Sequence, residues 1–98
     1  MLKPGQWKKG SSVWIQCHVK GGPFPNERRV YVKTDSSEWF GFVNVSELKN
    51  KVAEGEDQVR AIVLDAQGNH ILVGIRGQSP KGGSVQTSSS EITAYGAV

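Results

Sequence analysis

Residues 26–49 read NERRVYVKTDSSEWFGFVNVSELK, two runs of alternating apolar residues joined by a polar turn at Asp35-Ser36-Ser37. With the two-residue period of a strand, Val30 and Val32 point one way while Arg29, Tyr31 and Lys33 point the other. In the second run Val43 and Val45 share one side, and Phe40, Phe42 and Asn44 share the opposite one. One face of this hairpin is therefore aliphatic and suited to a core. The other sets Tyr31, Phe40 and Phe42 among Arg29 and Lys33, and aromatics on a solvent face need a reason. That face is the candidate functional surface, and its chemistry is that of binding rather than catalysis.

Upstream, Ser12–Lys20 alternates without a break. Val13, Ile15, Cys17 and Val19 fall on one side, and Trp14, Gln16, His18 and Lys20 on the other, which predicts a half-buried strand with Cys17 in the core. Residues 1–10 read as a polar lead-in with Trp7 its bulky apolar side chain. Gly21-Gly22-Pro23-Phe24-Pro25-Asn26 reads as a loop presenting Phe24. Downstream, Ser46 is placed to N-cap a short helix through Glu54, with Gly55 as its C-cap and Leu48 and Val52 on its inner face. Gln58–Asp65 is a second strand, apolar on both faces, which predicts cover on both sides. Ala66–Asn69 is a turn, His70–Arg76 a return strand, and Gly77–Gly83 a flexible polar loop. A last short strand falls around Val85 and Thr87, and Thr93–Val98 reads as a loose tail.

The expected fold is all-β: one small barrel spanning residues 1–98, with five to seven strands and one short helix. Residues 13–48 and 59–92 follow the same order of strand, strand, strand and a Ser-Glu-Leu or Ser-Glu-Ile step. An internal duplication and the common grammar of small barrels both account for this.

Composition narrows the function classes. No apolar run approaches the ~20 residues of a membrane-spanning helix, and the basic start MLKPGQWKKG lacks the apolar stretch of a secretory signal. The single cysteine, Cys17, excludes an internal disulfide framework and an all-cysteine metal site, and favours a reducing, cytoplasmic setting. His18 and His70 lie at no ligand spacing, so neither a metal nor a cofactor is expected. Adjacent on a strand, Cys17 and His18 point to opposite faces and do not form a nucleophile–base pair. A net charge of +3 and a pI near 9.2 are compatible with a polyanionic partner.

Two family resemblances follow from the motifs. Trp39-Phe40-Gly41-Phe42-Val43 with Ser46-Glu47-Leu48 resembles the end of a bacterial Src-homology-3-like barrel, and ILVGIR with SVQTSSSEI is similar to the same closing pattern. Over residues 10–77, GFVNVSELK followed by GEDQVRAIVLDAQGNHILVGIRG resembles the S-one-type RNA-binding domain, an OB barrel. Tyr31-Val32 falls where that family carries Phe-Val, Asn44 where it carries a histidine, and Arg76 where it carries its closing arginine. A third likeness concerns catalysis. GSVQTSSSEI is similar to the Gly-Ser-Val-Gln core of the type II dihydrofolate reductases, which are also small barrels. Here Gln86 is followed by Thr87-Ser88 instead of Ile-Tyr, so the pocket-forming aromatic is absent and the activity is not carried over.

The functional expectation is a non-catalytic module that binds single-stranded RNA or DNA. Tyr31, Phe40 and Phe42 would stack bases, and Arg29, Lys33 and Lys20 would follow the backbone. Asn44 and Arg76 join this set through the S-one resemblance. The alternative is a protein-interaction module, a peptide groove or homo-oligomer face built on the same aromatics. The aromatics would lose either role if they packed on Trp14, Phe24 or the second half of the chain.

Overall fold

Alternation of the kind read above leaves every second side chain in need of cover, and the chain supplies it by curling one sheet on itself. The computed structural model describes residues 7–80 and 82–95. Its strands are β1 Ser12–Gly21, β2 Glu27–Lys33, β3 Glu38–Asn44, β4 Gly55–Gln67, β5 His70–Ile75, β6 Ser84–Ser88 and β7 Ile92–Ala94. They form a seven-stranded antiparallel sheet of order β3-β2-β1-β4-β5-β6, with β7 paired to β1. The sheet rolls into a small, nearly closed barrel. Its seam is held by reciprocal backbone bonds between Phe42 and Gln78, both 2.9 Å. Two side chains add to it: Trp39 Nε1 donates to the Gly82 carbonyl at 2.7 Å, and Thr34 Oγ1 to that of Gln86 at 2.6 Å.

Phase on the first three strands is as expected. Val13, Ile15, Cys17, Val19, Val30, Val32 and Val43 are buried, and one apolar cluster joins them to Val59, Val63, Val73 and Val85 from later strands. Trp39, in phase with Val43, is fully buried beneath the seam. The seam passes so close that no side chain fits there. A Cβ on Gly77 would lie 2.5 Å from the Phe42 carbonyl oxygen, and one on Gly41 would collide with that of Gln78.

The helix expected over Ser46–Glu54 does not form. Asn44 Oδ1 accepts from the Ser46 amide at 2.9 Å and starts a single 3₁₀ turn, Val45–Glu47. Leu48 is already extended and bridges to Val59. A buried carboxylate explains why the chain does not coil further. Asp57 accepts from the backbone amides of Asn50, Val52 and Gln58 and from the Asn50 side chain. Amides that a helix would direct to its own carbonyls go to Asp57, and Lys51 takes a left-handed φ of 55° to allow it.

Four further expectations need correction. Trp7 is buried, and the amide of Gly10 and carbonyl of Ser11 bond to Val63, so the lead-in from residue 7 is packed on the barrel. The supposed tail is pinned through Tyr95, whose amide donates to the Ser12 carbonyl; residues 96–98 and 1–6 lie outside the described residues. Cover on the second face of β4 is partial. Ile62 is half-buried, but Leu64, at a bulge between Val63 and Asp65, is exposed and lies against Gly74. The turn after β4 narrows to Gly68-Asn69, with Gly68 at a φ of 59°.

The register places one outward cross-strand row, Glu56–His18–Tyr31–Phe40, across β4, β1, β2 and β3. A row of the same geometry, Ser12–Ile62–Gly74–Ser84, runs across β1, β4, β5 and β6.

Two predictions test this packing. Burial, reinforced by Asp57 and Glu56, pushes the Cys17 thiol up to about 12. A thiol reagent should leave the native protein unlabelled at neutral pH and react only after unfolding; fast native labelling would place Cys17 on the wrong face. Burial acts to raise the Asp57 pKa, but the Asn50, Gln58 and Val52 amides and the Asn50 side chain outweigh it and hold the carboxyl below its ordinary value. Because the native pKa is depressed, its contribution is present above the unfolded carboxyl pKa and lost as pH falls through the native one. Asp57→Asn should cost about 1–3 kcal/mol at neutral pH, measured by denaturant unfolding, and the deficit should shrink below about pH 4.

Candidate nucleic-acid interface

Antiparallel register turns the sequence alternation into a lattice. Tyr31 stands between His18 on β1 and Phe40 on β3; one row along, Arg29 stands between Lys20 and Phe42. These six side chains share the outer face of β1–β3. Directly paired residues on one face have Cβ atoms about 4.5–5.5 Å apart, so the rings and cations form one contiguous surface. Tyr31, Phe40 and Phe42 are 40%, 42% and 36% exposed, so each keeps part of its ring open to solvent. Trp14 packs instead on Tyr95, ring centroids 4.8 Å apart. Phe24 is held out by its loop at 65% exposure.

Together with Pro80 from the seam segment, the lattice lines an open groove of about 660 Å³. Its walls are Tyr31, Phe40 and Phe42, with His18, Lys20 and Arg29 as the polar members and no carboxylate among the lining residues. Arg29 is aimed by a bond from its Nε to the Gly21 carbonyl at 3.1 Å. Two acids border the groove on the same outer face. Tyr31 donates its hydroxyl to Glu38 Oε2 at 2.5 Å, and this bond, before burial and charge, raises the phenol pKa. Glu56 receives Gln16 Nε2 at 3.0 Å and contacts His18 Nδ1 at 3.0 Å. The bond from His18, then that from Gln16, holds its carboxyl below the ordinary value. Each acid thus orients a groove residue.

Of the residues expected from sequence, Tyr31, Phe40, Phe42, Arg29 and Lys20 come together in the groove. Lys33 lies one step along β2 and lines a neighbouring cavity. Asn44 caps the 3₁₀ turn, and Arg76, exposed at the end of β5, lines neither space. His18 and Pro80 were missed. The phase of β1 puts His18 beside Lys20, so its place was readable once β1 and β2 are paired; Pro80 arrives through the seam and carries no local signal.

Among the described residues, no group of His, Cys, Asp and Glu is placed to hold a metal ion, and no helix is long and apolar enough to cross a membrane. Comparison with family models, curated proteins and solved structures finds no match.

The Tyr31–Glu38 bond is open to direct measurement. A spectrophotometric titration should show one tyrosine ionising above the ordinary phenol value near 10, and Glu38→Gln should bring that phenol down. An unchanged titration in the variant would mean that Glu38 does not hold the ring.

Proposed function

We propose that the protein is a non-catalytic module that binds single-stranded nucleic acid in the groove on β1–β3. The observation that carries this reading is the joining of three exposed rings with Lys20, Arg29 and His18 in one space lined by no acid. Bases stack on Tyr31, Phe40 and Phe42, and phosphates lie against Lys20 and Arg29. Stacking tolerates any base, because every base has a π-face, while the cations supply the attraction that salt weakens. A single buried cysteine is in keeping with a reducing, cytoplasmic setting.

The barrel is further proposed to be Src-homology-3-like and duplicated. Support comes from a strand, a 3₁₀ turn and a pairing residue that recur at Asn44–Leu48 and Ser88–Ile92. The recurrences are also reciprocal: Leu48 pairs with Val59, Ile92 with Ile15, and Ile15 with Val59. Of the positions matched in the S-one-type resemblance, Tyr31 lines the groove, whereas Asn44 and Arg76 do not.

A protein contact is the second reading, favoured by the concentration of exposed apolar surface on Phe24, Tyr31, Phe40 and Phe42. Fluorescence anisotropy with labelled single-stranded RNA and DNA in low salt separates the two. Tyr31→Ala or Phe42→Ala should leave the domain folded and weaken binding by about tenfold or more. Lys20→Gln and Arg29→Gln should weaken it less and flatten the salt dependence by roughly 0.7 per lost phosphate contact. Absence of binding by the wild-type protein in low salt would overturn the nucleic-acid reading in favour of the protein contact.

A further inference from the structure

We infer that the same outer face carries a second nucleotide subsite, in the polar cavity between the end of β2 and β7. This rests on the nucleic-acid reading of the groove and extends it.

The cavity arises from how β1 divides one of its edges. Its residues His18–Gly21 pair with β2, while Val13–Ile15 pair with β7. Gln16 and Cys17, between them, belong to neither register. The two neighbours part there and leave a space of about 300 Å³, whose lining includes Trp14, Gln16, Lys33, Gln58, Ser90 and Thr93. Gln16 and Lys33 are two residues from His18 and Tyr31 on the same outward face, about 7 Å along each strand. The cavity therefore adjoins the groove, and an extended strand leaving Tyr31 meets Lys33 next.

Its chemistry suits a base and a phosphate. Trp14 offers a ring, braced by Tyr95, which in turn lies under the Arg60 guanidinium at 5.2 Å from its centroid. The Gln58 amide oxygen is buried and has no hydrogen-bond partner among the described residues. An acceptor left so is unfavourable, and a base N–H against Trp14 would satisfy it once the carboxamide turns its enclosed oxygen toward the cavity. Lys33 supplies the charge for a phosphate. The one acid in the lining, Glu91, is already engaged by the Asp35 amide, Thr87 Oγ1 and both the amide and hydroxyl of Ser88. A flat ring with a donor edge and an attached anion fits this set, whereas an aliphatic or acidic side chain leaves the Gln58 oxygen unmet.

The test is a length series of single-stranded oligonucleotides, from about three to about eight nucleotides, in the range that small barrels accommodate. Wild-type affinity should keep rising beyond the trinucleotide. Trp14→Ala and Gln58→Leu should each lower the affinity for the longest member by about fivefold or more, and leave the trinucleotide bound as before. Gln58→Leu guards against a folding defect, because removing an unpartnered oxygen should leave stability unchanged or improved. A plateau at the trinucleotide, or wild-type affinity of both variants for the long strand, would overturn the subsite while leaving the groove reading intact. If no member of the series binds at all, the groove reading itself fails.

Discussion

The structure depends on the pairing of β1 with β4. Eight consecutive partners, from Ser12–Ile62 to Val19–Gly55, hold the two strands together through the middle of the barrel. β2 and β3 hang from one side of this spine, β5 and β6 from the other, and the remaining edges meet at the seam. Register on the spine decides everything outside it. Side chains alternate with a period of two, so a slip of one residue would send Val13, Ile15, Cys17 and Val19 to solvent and bring His18 and Lys20 inside. The groove exists because that slip is prohibited by four buried apolar side chains in a row.

Most of the fold was legible because strands announce themselves by alternation, and this chain alternates cleanly. Every side chain read as inward on β1, β2 and β3 is covered. What could not be read was decided by partners outside the segment being read. The Ser46–Glu54 segment has helical spacing and a cap, but Asp57 claims its amides and Val59 claims Leu48. Eight residues carry too little intrinsic helicity to resist such competition. The segments of Trp7 and Tyr95 read as loose ends, but Gly10 and Ser11 bond to Val63 and Tyr95 packs on Trp14, contacts that no local pattern foretells.

The candidate site divides along the same line. Tyr31, Phe40 and Phe42 were visible because they interrupt an otherwise polar face, and their being neighbours follows from the hairpin alone. Joining Lys20 and His18 to them needs the β1–β2 register, and Pro80 needs the seam. Asn44 and Arg76 entered through a family likeness, and the fold gives the first a capping duty and leaves the second apart from the groove. Of the residues argued from strand-face chemistry, all but Lys33 line the groove; the two argued from position in a motif do not.

The two outward rows differ in a way that bears on design. Glu56–His18–Tyr31–Phe40 is furnished with rings and ionisable groups, whereas Ser12–Ile62–Gly74–Ser84 has the same lattice with small or aliphatic occupants. Gly74 is overlain only by the flexible end of Leu64 among the atoms nearest to it. The chain thus contains a blank copy of its candidate surface, set on the far side of a shared spine. If the first face binds an extended strand as proposed, writing aromatic and basic side chains onto that copy would make the protein bivalent. Two weak grips on one long strand would then multiply through effective concentration instead of through any stronger contact.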